Sequence, residues 1–254
     1  MSVRQAAQTR RERRVAERAG RQRARRHPHP AARRLGLGSL SVLGLVGGLA
    51  VVTLAIVFGA RPAPTPAETA VVRIAHVPAD LAADGFVLGR ADAPVTIDLF
   101  EDFQCPACEA WSRNVFPSLA SNELAAGAVR IVFHDMAFLG AESTVAGRAA
   151  YAAAQQGRFW DMWATLYANQ GSENSGAFSR ARLIAMADRL GLDVATFQSA
   201  MDSTAAGAAI EGSRADAARA GVTSTPTLII EGRAFVGIEP YPDVAAAIAA
   251  AAAP

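Results

Sequence analysis

The chain has 254 residues, 51% of them hydrophobic, and a formal charge of +2, which leaves room for one large or two small domains with a real core. The charge is a sum of opposites: residues 1–34 hold twelve arginines against two glutamates, a net +10, and the remaining 220 residues carry −8. That asymmetry excludes reading the isoelectric point as a property of the folded part. Two cysteines are too few to hold a structural metal alone, since a zinc site takes four ligands.

The arm 1–34 has almost no large apolar side chain and cannot bury a core, so it is expected to be a disordered, basic arm. Such an arm suits nucleic acid or anionic lipid, and the apolar segment after it selects the membrane. Residues 35–60 contain no charged side chain. As a helix this stretch would run roughly 39 Å, enough to cross a hydrocarbon core of about 30 Å. The arginine excess on its N-terminal side predicts an N-in, single-pass anchor in the cytoplasmic membrane with the rest of the chain outside. A cleaved signal peptide is the competing reading, but its apolar stretch is usually only about 7–15 residues. No nucleic-acid partner is expected.

Residues 61–84 begin Arg61-Pro62-Ala63-Pro64-Thr65-Pro66 and are expected to be a Pro-rich linker; 71–74 could be an edge strand or more linker. From 85 onward the signals are those of a globular domain. Val95–Phe100 alternates as a strand, and directly after it comes Phe103-Gln104-Cys105-Pro106-Ala107-Cys108. A Cys-x-x-Cys pair at a strand-to-helix junction reads as a redox motif. With a helix starting near Cys105, Pro106 falls at its first position, where the missing N–H is no loss. Cys108 then lies one turn along on the neighbouring face. An exposed Cys105 thiol at the helix N-terminus sits among unpaired N–H groups, which can lower a thiol pKa into a range of roughly 3.5–7.5. Cys105 is thus the expected nucleophile and Cys108 the buried resolving thiol, with Pro106 and Ala107 tuning the pair. Two other readings stand beside this one. A structural disulfide would close too short a loop to constrain much of the unfolded chain. A zinc site would have to recruit His76 and His134, whose spacing to the cysteines is not ligand-like.

A second strand is expected at 129–133, which makes a parallel crossover unit with the first. A helical block comes next over about 141–220, with Ser179 and Asp193 as N-caps and a break at Gly191. Within it Phe159, Trp160, Trp163 and Leu166 form an apolar stripe, read as core. His134 is expected to be a solvated or capping side chain. Thr227–Ile230 and Ala234–Val236 flank a short link and read as a hairpin, and a last helix opens at Pro242-Asp243. The order predicts an α/β fold with a mixed sheet and a helical insertion.

Four segments together resemble the DsbA-like branch of the thioredoxin superfamily, in its membrane-tethered form: Ala93-Pro94-Val95-Thr96, Glu101-Asp102-Phe103-Gln104-Cys105-Pro106-Ala107-Cys108, Gln156-Gly157-Arg158-Phe159-Trp160 and Gly221-Val222-Thr223-Ser224-Thr225-Pro226-Thr227. The resemblance runs from about Gly85 to Ala253. It implies a thioredoxin-like fold over 85–254 and a cis Thr225-Pro226 bond facing the cysteines, with Thr225 and Pro226 binding the substrate backbone. It also implies thiol–disulfide exchange on exported proteins with free thiols, with a quinone-linked membrane reoxidant and no cofactor or metal in the chain itself. A reductase or isomerase, or a tethered binding module with a structural Cys pair, are the rival readings. One position departs from the pattern. Many relatives carry a buried acid six residues before the first cysteine, where this chain has Leu99; Glu101 shares that strand face by parity and is the candidate replacement.

Overall fold

The computed structural model describes residues 72–253. The arm 1–34, the span expected over 35–60 and the first part of the expected linker lie outside the described residues. Among the described residues no helix is long and apolar enough to cross a membrane.

Six strands form one sheet: β1 (Ala83–Asp84), β2 (Val87–Gly89), β3 (Val95–Glu101), β4 (Val129–Asp135), β5 (Thr227–Ile230) and β6 (Arg233–Val236), in the spatial order β1-β2-β4-β3-β5-β6. β3 and β4 are parallel, with Glu101 opposite Asp135 at their C-terminal ends, and every other pairing is antiparallel. The sheet is therefore mixed, as the element order predicts. Val129, Ile131 and Phe133 alternate into the core while Arg130, Val132 and His134 take the other face, the period of two that a pleated strand imposes. The same parity places Val95, Ile97, Leu99 and Glu101 of β3 on one face, all of them buried.

Between β3 and β4 lie α1 (Pro106–Asn114), the short α2 (Phe116–Leu119) and a π turn over Ala120–Leu124. The expected helical block resolves into α3 (Ala141–Ala154), α4 (Phe159–Ala168), α5 (Arg180–Arg189), α6 (Val194–Asp202) and α7 (Thr204–Ala220). The Asp193 carboxylate caps α6 by accepting from Thr196 N, whereas Ser179 occupies the cap position of α5 without making the bond. The β5–β6 link is a two-residue turn, Glu231 and Gly232, both at positive φ (46° and 78°), the geometry that matches the twist of a hairpin. α8 (Tyr241–Ala251) closes the domain.

Residues 72–78 belong to the stretch that the sequence reads as linker, with an edge strand as the alternative at 71–74; they form no strand and lie as a strap along α4. Arg73 N donates to Asn169 Oδ1 and Asn169 Nδ2 returns a bond to Arg73 O, while Thr165 Oγ1 exchanges bonds with both the N–H and the carbonyl of Ala75. Val72 is buried in the main core. Polar side chains on one helix thus satisfy a backbone that no strand pairs.

His134 differs from expectation. It lies inside β4 rather than after it, and its side chain is 12% exposed rather than solvated. It stacks on Phe100 at 4.4 Å between centroids, with Nε2 2.9 Å from Asp98 Oδ1 and Nδ1 3.5 Å from Asp216 Oδ2. This is the sheet face that α7 covers, where Phe100, Met136, Ala217 and Val222 form a second small core.

Candidate functional site

Cys105 is the N-cap of α1 and Pro106 its first residue, so the sequence reading of the junction matches the fold. The Cys105 carbonyl accepts from the N–H groups of Cys108 (3.1 Å) and Glu109 (3.2 Å), which starts the helix. Both cysteines are free thiols. Cys105 is less open than expected: only 8% of its surface is exposed, and Cys108 has none. The cover comes from the far end of the chain, since Cys105 Sγ lies 3.4 Å from the carbonyl oxygen of Thr225. The Thr225-Pro226 bond is cis, and Pro226 O in turn accepts from Gly237 N at 2.8 Å.

The two thiols are pushed in opposite directions. Cys105 is lowered to about 6, chiefly by the hydrogen bond from the Cys108 thiol, with help from the Cys108 and Ala107 N–H groups at the helix start and against the effect of burial. Cys108 is raised well above the ordinary thiol range, first by burial, then by its bond to Cys105 and by the charge of Glu101. One thiol is therefore set up as a thiolate near neutral pH and its partner is kept protonated.

Glu101 is fully buried at the end of β3. Its carboxyl is pushed up to about 8, chiefly by burial, with the nearby Cys105 and Asp135 charges adding to the rise. Trp163 Nε1 donates to Oε2 at 2.8 Å, and Oε1 has no partner. A buried acid is thus present beside the cysteines although Leu99 occupies the position expected for it. Across the sheet, Asp135 is also buried and raised well above the ordinary carboxylate range, by burial first and then by Asp102.

Several residues that shape the site carry no local sequence signal. Asp102 accepts four bonds, from Gln104 N and Ser143 Oγ at Oδ1 and from Phe138 N and Leu139 N at Oδ2. That carboxylate ties the residues before Cys105 to the loop after β4. Gln170, just past α4, donates from Nε2 to the carbonyls of Phe103 (2.8 Å) and Cys105 (3.1 Å). Among the described residues the exposed large hydrophobic side chains are Phe138, Val236 and Ile238. Phe138 N donates to Asp102 Oδ2, and Val236 and Ile238 flank Gly237, whose N–H bonds the Pro226 carbonyl. No group of three or more potential metal ligands occurs among the described residues.

A mixed sheet with a Cys-x-x-Cys helix, a facing cis-proline and an inserted helical block defines a thioredoxin-type protein of the DsbA-like kind. A family model described as Thioredoxin matches residues 82–250, and the chain belongs to that family. An 85-residue stretch is 36% identical to the probable disulfide bond formation protein D of Bacillus cereus, covering 33% of this chain and 39% of that protein; the chain therefore matches well under half of this relative's length. Among solved structures, oxidised BdbD from Bacillus subtilis superposes with a TM-score of 0.62 at 22% identity, over 66% of this chain and 92% of that one. A thioredoxin-like oxidoreductase from Silicibacter pomeroyi gives 0.57 at 29% identity, over 65% and 90%.

Proposed function

We propose that the protein is a thiol–disulfide oxidoreductase that introduces disulfides into exported proteins, anchored in the cytoplasmic membrane by residues 35–60 with its catalytic domain outside. The observation that carries this reading is the placement of Cys105 at the N-cap of α1, 3.4 Å from the Thr225 carbonyl, with Cys108 fully buried one turn along. That placement lowers the first thiol to about 6 and raises the second. A substrate thiolate attacks Cys105 Sγ of the disulfide, and the S–S bond breaks with its electron pair going to Cys108. A second substrate thiol then displaces Cys105, which leaves the substrate oxidised and the pair reduced. Cys105 and Cys108 are the catalytic residues, and Pro106 and Ala107 shape the turn between them.

Thr225 and Pro226 present the backbone that faces Cys105, so they bind the substrate chain. The exposed apolar side chains Phe138, Val236 and Ile238 offer it an apolar landing. Glu101 supplies and accepts the proton of Cys108. The relative named for disulfide bond formation supports the oxidising direction. Turnover then needs a membrane-embedded, quinone-linked reoxidant, and the arginine-rich arm stays on the cytoplasmic side of the bilayer. The extracytoplasmic compartment suits the chemistry, because disulfides persist there.

The test is to mix oxidised protein with a reduced, unfolded client. The account requires the client to gain a disulfide as the Cys105–Cys108 pair becomes reduced, with no gain from a variant lacking both cysteines. A client that stays reduced would refute the oxidase reading. Protease added to spheroplasts should digest the catalytic domain while an N-terminal tag survives.

A further inference from the structure

The chain has three tryptophans, and their indole N–H groups are not treated alike. The buried Nε1 of Trp111 and of Trp160 has no partner, so this core tolerates an unpaired indole donor. Trp163 alone spends its donor on a carboxyl group, at 2.8 Å from Glu101 Oε2. Trp163 is 2% exposed, and Glu101 is completely buried. A donor at Oε2 makes that oxygen the acceptor of the pair, so the acid proton belongs on Oε1, the oxygen left without a partner. Glu101 is near enough to both cysteines for its charge and theirs to act on one another, and the other titratable groups that face it are Asp135 on β4 and the Tyr167 hydroxyl on α4. Trp163 packs against Phe116, Trp160 and Tyr167, and with Phe116, Tyr167 and the strap residues Ala75 and Val77 it borders a groove of about 590 Å³.

We infer that Trp163 is the positioning residue of the proton chemistry at the cysteine pair: its indole N–H holds Glu101 so that the carboxyl proton sits on Oε1, ready for Cys108 when the disulfide opens. The inference rests on the thiol–disulfide reading proposed above. When a substrate thiolate attacks Cys105, the electron pair of the S–S bond goes to Cys108 Sγ, a thiolate in a fully buried place. Glu101 gives it the Oε1 proton and becomes a carboxylate, which the Trp163 N–H stabilises. Reoxidation returns the proton from Cys108 to Glu101.

The experiment measures reduction of the oxidised full-length protein by dithiothreitol across pH, normalised to the thiolate content of the reductant. The wild-type rate should fall as Glu101 loses its proton, at a midpoint well above the ordinary carboxylate range, since burial raises it in the oxidised protein as well. Trp163→Phe keeps an aromatic ring and loses the donor. Its midpoint should rise by about half a pH unit or more, because the lost bond favoured the carboxylate, and its plateau rate should drop by about threefold. Glu101→Gln should show no inflection. A purely packing role for Trp163 would change thermal stability and leave the midpoint where it is, and that outcome overturns the inference. If Trp163→Phe does not fold, the Trp111→Phe/Trp160→Phe protein decides: Trp163 emission should titrate near pH 8 and lose that transition with Glu101→Gln. A flat wild-type emission would overturn the inference too. A chain that fails to oxidise clients while its Trp163 emission still titrates with Glu101 would sink the proposed function and keep the contact.

Discussion

Cys105 Sγ and the carbonyl oxygen of Thr225 lie 3.4 Å apart, although 120 residues separate them in the chain. The contact brings the head of β5 over the start of α1. It leaves the nucleophile flanked by helix N–H groups on one side and by backbone that can pair with a substrate chain on the other.

The first consequence is a thiol that reacts at low pH. Alkylation of the reduced protein should modify Cys105 with a midpoint near 6, against about 8.5 for an ordinary thiol. Cys108 should stay unmodified until well above that ordinary value. The same shift sets a sign for stability. A depressed pKa stabilises the reduced fold at pH above the unfolded thiol value, and the contribution fades as pH falls through about 6. The oxidised protein has no thiolate and gains nothing, so from pH 6 towards neutrality the disulfide should become easier to reduce relative to an ordinary disulfide couple, whose thiols stay protonated over that range. A Cys105 profile with an ordinary midpoint would contradict the site's electrostatics.

Glu101 gives a pH dependence of the opposite sign. Its carboxyl titrates near 4.5 when unfolded and near 8 in the fold, so the unfolded state loses its proton first. Wild-type stability should therefore decline from about pH 5 and level off above about 8. Glu101→Gln keeps an acceptor for Trp163 and removes the titration. Denaturant midpoints should show the variant pulling ahead over that window, by at most about 3 kcal/mol at pH 7. Parallel stability curves for the two proteins would mean that the carboxyl is not held neutral.

Gly147 in α3 tests how tightly the second buried acid is packed. A Cβ added there would run into Asp135 Oδ2 and crowd Ile210, and Asp135 is buried with that oxygen unpaired. Gly147→Ala should cost about 1–3 kcal/mol by overpacking, despite the better helix propensity of alanine. In an Asp135→Ala background the same substitution should cost less than half as much, since the obstructing carboxyl is gone. Equal costs in the two backgrounds would show that the helix yields elsewhere.

The chemistry was legible where it is local. The strand into Cys105 and Pro106 at the first helical position are short-range patterns, and each forms as read; the hairpin forms too, with Arg233 in its second strand rather than in the link. Parity alone placed Glu101 on the face of Leu99. What escaped the sequence is what spans it. Gln170 clamps the Cys105 and Phe103 carbonyls across 65 and 67 residues, and Trp163 reaches Glu101 across 62. A helical stripe says which side chains are buried but not which of them will find a polar partner. Cys105 was expected to be open because a helix N-terminus is open; the Thr225-Pro226 segment, delivered by the fold, covers it. His134 was read from its position at a strand end, and packing by α7 turned an expected surface residue into a largely enclosed link between Asp98 and Asp216. The strap 72–78 resembles a linker because its bonds are made by Thr165 and Asn169.

The most direct test of the division of labour between the cysteines is trapping. In Cys108→Ala the internal thiol is gone while Cys105 keeps its place at the start of α1. A Cys105 thiolate that attacks a disulfide of an exported protein, releasing one of its sulfurs as a thiolate, is then held in a mixed disulfide that only a client thiol can resolve. Mixed disulfides with exported proteins should accumulate as high-mass species that collapse on reduction, and Cys105→Ala should give none. A Cys108→Ala protein that folds but traps nothing, or trapping through Cys108 in Cys105→Ala, would contradict the assignment of Cys105 as nucleophile and Cys108 as its resolving partner.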